Sequence, residues 1–155
     1  MNTEKLNALK EQAYKTAVEH GFHEDVKPVA FYFGLVMSEA GEAINADRKG
    51  LHAEIADIVI RLFDFAGLKE YVLQLSATSC PYVTGEYLAA DLFVLMAFLY
   101  DVHREADFEV KINSLINVLA NSFGMLTGSD KDLWWFVERK MKYNEQRPKL
   151  NGKKY

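Results

Sequence analysis

Residues Ser38 to Asp64, SEAGEAINADRKGLHAEIADIVIRLFD, decide how this chain is expected to fold. The stretch predicts two apolar helices joined by a short turn near Arg48, with two acids three residues apart on each helix. These four acids are Glu39, Glu42, Glu54 and Asp57. Residues i and i+3 share one helix face, and the spacing of the acids is mirrored about the turn. In an antiparallel hairpin, whose helix axes lie ~8–10 Å apart, the four carboxylates are therefore expected to converge.

Such a cluster of acids needs a counter-charge. Like charges close together in a low dielectric repel one another or become protonated, and a bound divalent cation removes that cost. Ligands that are all oxygen suit a hard ion such as Mg²⁺ or Mn²⁺. A di-iron site would require Glu-x-x-His pairs, and His52, two residues before Glu54, is out of register for one. The four acids are therefore candidate ligands of a hard divalent metal.

The alternative is that these acids form the solvated face of ordinary amphipathic helices, which the spacing alone favours. The composition of the third predicted helix points the other way. Its polar residues form one stripe, Glu54, Asp57, Arg61 and Asp64, while almost every other position is apolar. A helix so apolar around its circumference is buried on several sides, so a narrow acidic stripe on it indicates a lined cavity. Both interpretations stay open on the sequence.

The composition is that of an ordinary globular domain. Of 155 residues, 50% are hydrophobic and 26% are charged, and the formal net charge is -4. A weakly acidic protein of this kind is not expected to bind nucleic acid or an anionic membrane. The single Cys80 excludes an intramolecular disulfide, and the sequence contains neither an apolar signal segment nor a run long enough to cross a bilayer. We expect a cytoplasmic protein.

Hydrophobic spacings of three and four residues, in a chain with three prolines, predict an all-α fold. Six helices are expected, over residues 3–20, 28–47, 51–66, 86–104, 107–123 and 133–144. Gly67 is predicted to end the third helix, and Ser129 or Asp130 to cap the last one. The stretch 76–85 is predicted to be a loop. We expect one domain over residues 1–155, a helical bundle that contains the carboxylate-bearing hairpin.

Three parts of the sequence resemble the MazG-type all-α nucleoside triphosphate pyrophosphohydrolases. They are EHGF from residue 19, SEAGEAINADRKG with EIADIVIRLFD across the hairpin, and KMKYNEQRPKLNGKK near the end. The order E-x-x-E, then E-x-x-D, then Lys-x-x-Tyr-Asn-x-x-Arg-Pro makes the likeness specific. It covers about Thr16–Gly67 and Trp135–Lys154. Between them, residues 76–126 look like an inserted helical segment that serves as added packing or as a lid.

The resemblance implies Mg²⁺-dependent hydrolysis of a (deoxy)nucleoside triphosphate to the monophosphate and pyrophosphate. The implied catalytic residues and metal ligands are Glu39, Glu42, Glu54 and Asp57. Divalent ions held by carboxylates bind phosphate oxygens and lower the pKa of an attacking water, which agrees with the predicted cluster. One of the glutamates could act as a general base. Removal of unwanted nucleotides from the pool is a role that fits, and the base and sugar stay undetermined.

A triphosphate also requires cations from the protein, and the C-terminal end of the chain is rich in them. Between residues 139 and 155, seven Lys and Arg residues stand against a single Glu. The candidate substrate ligands are Lys140, Asn144, Arg147, Arg61 and Lys153. The first three fall on one helix face if the last helix persists so far. The alternatives are a solvated tail or cations that face the helix dipole, and the acidic net charge disfavours a nucleic-acid arm.

Contacts to the base are the least determined part of the site. Five aromatic residues belong either to the core or to a base-stacking wall: Tyr32, Phe33, Trp134, Trp135 and Tyr143. His20 and His23 flank a helix end and are expected to be caps or surface residues, with a base contact left open. Three polar residues are expected to be solvated at a helix end and not to be metal ligands: Asp101, His103 and Glu105.

Helices as apolar as the third one, in so small a chain, are expected to be covered in part by a second copy, giving a homodimer or homotetramer. Two other functions stay open. One is a non-catalytic helical oligomerisation module whose acids only decorate the surface, and the other is a nucleotide-binding regulator without turnover. Binding of a divalent metal separates the enzyme from the module, and release of pyrophosphate separates the enzyme from the regulator.

Overall fold

The computed structural model describes residues 1–97, 99 and 107–148, and within these residues it is all-α. Six helices follow one another along the chain: α1 (Thr3–Glu19), α2 (Val29–Asn45), α3 (Leu51–Leu68), α4 (Leu88–Ala97), α5 (Phe108–Thr127) and α6 (Leu133–Glu145). No strand occurs in this described part of the chain. The all-α fold predicted from the hydrophobic spacing is confirmed.

Helix α3 lies at the centre because it is apolar around most of its circumference. It packs against α1, α2, α5 and α6, and its large side chains, among them Ile55, Phe63 and Phe65, are fully buried. Removal of this apolar surface from water is a main stabilising contribution to the fold. Since helices of the same chain cover α3, its apolar circumference gives no support to the expected partner subunit. None of the described helices is long and apolar enough to cross a membrane.

A short turn joins α2 to α3, and the two helices pack against each other. Asp47 closes the turn, because its Oδ1 accepts a hydrogen bond from the Gly50 amide at 2.7 Å. The buried face of α2 includes Val36, Ala40 and Glu39. The face of α2 that packs into the protein therefore carries one of the predicted metal ligands.

Gly67 lies inside α3 and does not end it, contrary to the sequence prediction. The helix continues to Leu68. A Cβ atom at Gly67 would collide with the side chain of Tyr14 on α1. Glycine at this position therefore permits the close approach of two helices, which the sequence pattern cannot distinguish from a helix stop.

The ends of the later helices also differ from the predictions. Asp132, not Ser129 or Asp130, caps α6, and its Oδ1 accepts a hydrogen bond from the Trp135 amide at 3.0 Å. Helix α5 continues past residue 123 to Thr127, and it is capped by Gly128, whose φ of 69° is left-handed. Helix α4 begins later than expected and is described only to residue 97. The rest of the predicted 86–104 helix lies outside the described residues, apart from residue 99.

The chain between α3 and α4 lies along α5 and is held there by side chains. Four polar side chains at helical spacing on α5 bond to it: Glu109, Asn113, Asn117 and Asn121. Their backbone partners alternate, at positions 72, 74, 76 and 78. The match is geometric, because four helical residues rise ~6 Å and two extended residues ~6.6 Å. Together with the packing of α5 on α3 and α6, the bonds from α5 to positions 72 and 74 tie this helix to the rest of the protein.

Candidate functional site

A cavity of about 200 Å³ lies between α1, α2, α3 and α6. The four acids predicted as metal ligands line it: Glu39, Glu42, Glu54 and Asp57. Four of the five predicted substrate ligands also line it: Arg61, Lys140, Asn144 and Arg147. The fifth, Lys153, lies outside the described residues, as do Asp101, His103 and Glu105. Residues that are distant in the sequence thus meet around one cavity.

Three of the carboxylates are close enough to share an ion. Glu39, Glu42 and Glu54 each offer an oxygen, and these atoms lie within 4.8 Å of one another. Two oxygens on one Mg²⁺ at ~2.1 Å are separated by at most ~4.2 Å, so a small rotation of the side chains brings these oxygens into range. The ligand set is all oxygen, which is what a hard divalent cation prefers. The residues therefore fit Mg²⁺ or Mn²⁺.

Two cations of the protein lie against two of the four carboxylates. Arg61 donates from Nε to Glu39 Oε1 at 2.9 Å, and Lys140 donates from Nζ to Asp57 Oδ2 at 2.7 Å. The Lys140 and Asp57 side chains are only 21% and 15% exposed. An uncompensated carboxylate is costly in such surroundings. The two ion pairs therefore stabilise a cluster of acids that would otherwise repel one another.

The electrostatics of the cluster appear in its pKa values. Burial raises the pKa of Asp57 from 3.8 to about 6, although the charge and the hydrogen bond of Lys140 oppose the rise. Burial also raises the pKa of Glu54, with Lys140 opposing and the negative charges of Glu42 and Glu39 adding to the rise. Burial lowers the pKa of Lys140, but the neighbouring acids, Asp57 foremost, outweigh it and raise the pKa above 10.5. The cluster therefore favours bound positive charge.

Asn144 contributes an acceptor without a partner. Its Oδ1 is the one buried side-chain oxygen or nitrogen, among the residues that the structure describes, for which no hydrogen bond is formed. An unsatisfied buried acceptor costs about 1–3 kcal/mol. Since Asn144 lines the cavity, a donor or a cation that enters the cavity would offset this cost.

Arg147 reaches the cavity from beyond α6. The helix ends at Glu145, so the single helix face expected for Lys140, Asn144 and Arg147 does not extend to the arginine. The guanidinium carbon of Arg147 lies 5.8 Å from the ring centroid of Tyr143. The cavity nevertheless has two cations at its α6 end, Lys140 and Arg147.

The N-terminal helix α1 and the turn after it contribute lining residues that are not among the predicted site residues. They are Ala13, Thr16 and Ala17 on α1 and Phe22 shortly after it. The run EHGF, which contains Phe22, belongs to the sequence resemblance and was the available signal. Nothing in the sequence pattern marks the three α1 residues, because small side chains at helical spacing are typical of any helix interface.

The two histidines near the end of α1 have different environments. His20 lines the cavity. His23 was expected to be a cap or a surface residue, and this is wrong, because its side chain is only 8% exposed. Its Nε2 lies 2.6 Å from Oδ1 of Asp64 on α3, and its Nδ1 lies 3.3 Å from the hydroxyl of Tyr32. Burial and the negative charge of Asp64 raise the pKa of that tyrosine.

The aromatic residues proposed as an alternative base-stacking wall do not reach the cavity. The structure describes all five, and none of them lines it: Tyr32, Phe33, Trp134, Trp135 and Tyr143. The first three are buried in the core, and the last two are exposed. His52 stacks on Phe136 with ring centroids 4.8 Å apart, which agrees with its exclusion as a metal ligand.

No protein-family model, no curated protein and no solved structure matches this chain.

Proposed function

We propose that the protein is a Mg²⁺-dependent nucleoside triphosphate pyrophosphohydrolase, which converts a (deoxy)nucleoside triphosphate to the monophosphate and pyrophosphate. One observation carries the proposal: four carboxylates from α2 and α3 and the cations Lys140 and Arg147 line a single cavity. The acids suit divalent ions and the cations suit phosphate oxygens. The sequence resemblance, which rests on the same acids and the same C-terminal residues, implies the same reaction.

Glu39, Glu42, Glu54 and Asp57 are the residues that would hold Mg²⁺, and Mn²⁺ would fit the same oxygens. When bound there, the metal would neutralise charge on the phosphates and lower the pKa of an attacking water. The carboxylates would hold the metal and orient the attacking water beside the phosphates, because transfer of a phosphoryl-type group depends mainly on positioning and electrostatics. A glutamate of the cluster with a carboxylate oxygen that is not bound to the metal would accept a proton and so serve as general base.

Lys140 and Arg61 have two roles in this proposal. In the structure they neutralise Asp57 and Glu39. Divalent cations held by the carboxylates would neutralise them, and Lys140 and Arg61 would then also contact phosphate oxygens in the cavity. Charge-assisted bonds from Lys140, Arg61 and Arg147 would then hold the triphosphate. The unsatisfied Asn144 Oδ1 would accept a hydrogen bond from the ligand or its hydration shell.

We also propose that α2 and α3 act as an antiparallel metal-binding hairpin within a homodimer or homotetramer. Support for the oligomer comes from the outer side of α2, where Met37 and Ile44 are 49% and 43% exposed. Gly34 and Gly41 on the same helix have open space where a Cβ atom would stand. A helix of a second copy could therefore approach this side closely and cover the apolar side chains.

The direct test is a panel of ribo- and deoxyribonucleoside triphosphates incubated with the protein and Mg²⁺ or Mn²⁺. We expect release of pyrophosphate and the monophosphate from at least one of them, and no release of inorganic phosphate. Glu42→Gln, which keeps the shape of the side chain and removes its charge, should abolish the reaction. The matched control is Glu86→Gln, an exposed acid outside the cavity. The absence of pyrophosphate with every nucleotide would refute the enzyme.

Measurements of nucleotide binding and of melting temperature, made beside the release of pyrophosphate, separate the two alternative functions. A nucleotide-binding regulator would bind a triphosphate with metal and release no pyrophosphate. A purely structural oligomerisation module would show no thermal shift with Mg²⁺ or Mn²⁺, because its acids would bind no ion. For the enzyme, both the thermal shift and the release of pyrophosphate are expected.

A further inference from the structure

The cavity is chemically divided. Its acidic, lysine and arginine lining residues come from α2, α3, α6 and the residues after α6, whereas α1 contributes only uncharged side chains. These are Ala13, Thr16 and Ala17, and His20 and Phe22 join them from the turn that follows α1. A nucleotide is divided in the same manner, since its phosphates are charged and its base is a planar, uncharged ring. The division therefore indicates which part of the cavity would meet which part of the ligand.

The backbone holds Phe22 over the last turn of α1. Gly21 has a φ of 83°, a left-handed conformation that glycine adopts without strain. The Gly21 amide donates to the Val18 carbonyl and the Phe22 amide to the Ala17 carbonyl, both at 3.0 Å. These two bonds are those of a Schellman motif, which ends a helix and folds the next residue back onto it. Phe22 is thereby placed next to Ala17 at the edge of the cavity.

A buried hydrogen bond ties the same turn to α3. Nε2 of His23 lies 2.6 Å from Oδ1 of Asp64, and the two side chains are only 8% and 7% exposed. Asp64 itself lines the cavity. One turn earlier on α3, the guanidinium carbon of Arg61 lies 5.5 Å from the ring centroid of Phe22. Since Arg61 also bonds to Glu39, Phe22 is linked through one side chain to the carboxylate cluster.

We propose that Phe22, Thr16 and Ala17 form the surface that contacts the base and sets the base preference. This inference rests on the proposed function, since the carboxylates and Arg147 then hold the phosphates. Phe22 lines the cavity, so its ring adds apolar surface against which a base would pack. Ala17 leaves room for the base, and the Thr16 hydroxyl donates and accepts hydrogen bonds at its edge. His23 is a positioning residue that keeps the turn in place.

The test compares ligands with and without a base. Calorimetry in the presence of Mn²⁺ measures binding of the α,β-imido analogues of the four common deoxynucleoside triphosphates, which resist cleavage at the proposed position, and of inorganic tripolyphosphate. The wild type should bind at least one analogue more tightly than tripolyphosphate. Phe22→Ala should weaken that analogue roughly 5- to 150-fold, the range for loss of one base–aromatic contact. Its affinity for tripolyphosphate should stay unchanged.

Further variants keep the test decisive if Phe22→Ala does not fold. Ala17→Leu fills the space assigned to the base and should selectively weaken the nucleotide analogues. Thr16→Val, which keeps the shape and removes the hydroxyl, should change the ranking of the four bases. Phe93→Ala is the matched control, because Phe93 on α4 is an exposed aromatic residue outside the cavity. It should leave every affinity unchanged.

Each outcome identifies which proposal fails. If neither tripolyphosphate nor any analogue binds, the proposed function fails and the base surface fails with it. If tripolyphosphate binds as tightly as every analogue, the site holds phosphates but the base surface is refuted. If Phe22→Ala or Ala17→Leu weakens tripolyphosphate and the analogues equally, the residue acts through the fold, and the inference is overturned.

Discussion

Asp57→Asn tests the electrostatics of the carboxylate cluster in metal-free protein. The folded protein raises the pKa of Asp57 from 3.8 to about 6, chiefly because the carboxyl group is buried. As pH rises, the unfolded chain ionises first, so between these two values the folded state binds more protons and its stability falls. The stabilisation present below the unfolded pKa is thus lost as pH rises through the folded pKa. The pKa rises by about 2.2 (from 3.8 to about 6), and at ~1.36 kcal/mol for each pKa unit the loss is about 3 kcal/mol.

Asparagine has nearly the same shape and does not titrate, so the variant lacks this loss. About 1 kcal/mol of the wild type's loss of stability has already occurred at about pH 4.5. The free energy of unfolding of Asp57→Asn minus that of the wild type should therefore increase by about 2 kcal/mol from about pH 4.5 to about pH 7. Removing the partner of Lys140 also changes the free energy of unfolding of the variant, by an amount that does not depend on pH in this range. The informative quantity is therefore the change with pH of the difference between the two proteins.

The assay is urea unfolding of both proteins in the presence of a chelator at several pH values. The control is Asp25→Asn, because the side chain of Asp25 is 80% exposed and lies outside the cavity, and Asp57→Asn should show the larger change with pH. A flat difference for Asp57→Asn would refute the raised pKa. Mn²⁺ should raise the free energy of unfolding of the wild type more than that of Asp57→Asn, since the ion binds the folded wild type more tightly than the variant. Wild-type turnover by Asp57→Asn at saturating Mg²⁺ would exclude the metal assignment.

Three further predictions concern other parts of the molecule. Arg147→Ala should lower kcat/KM for the substrate roughly 10- to 100-fold, because a charge-assisted contact contributes ~1.5–3 kcal/mol. An unchanged kcat/KM together with an unchanged melting temperature would show that Arg147 binds no substrate. Asn117→Leu should lower the free energy of unfolding in urea by about 1–3 kcal/mol, since it leaves the Ser76 amide and the Gln74 carbonyl without their partner. A free energy of unfolding equal to that of the wild type would show that these bonds do not stabilise the contact between α5 and the chain that joins α3 to α4. Light scattering at micromolar concentration should give a dimer or tetramer, and a monomer would refute the proposed role of the exposed side of α2.

The helices and the order of the acids could be predicted from the sequence because both depend on local rules. The 3.6-residue repeat places Glu39 and Glu42 on one face of α2, and it places Glu54 and Asp57 on one face of α3. A short turn keeps the two helices adjacent. Helix ends were less predictable, since Gly67 serves close packing against α1 and not a helix stop, and that packing is not written in the local pattern.

The sequence by itself determined the all-α class, the central apolar helix and the grouping of four acids, because these follow from periodicity and short-range connection. Only the tertiary structure decided that Lys140 bonds to Asp57, that His23 is buried against Asp64 and that Phe22 and α1 complete the cavity. Each of these contacts joins parts of the chain that are distant in sequence. Their meeting depends on how α1, α2 and α6 pack around α3, and that arrangement is set by the buried apolar surfaces of all the helices together.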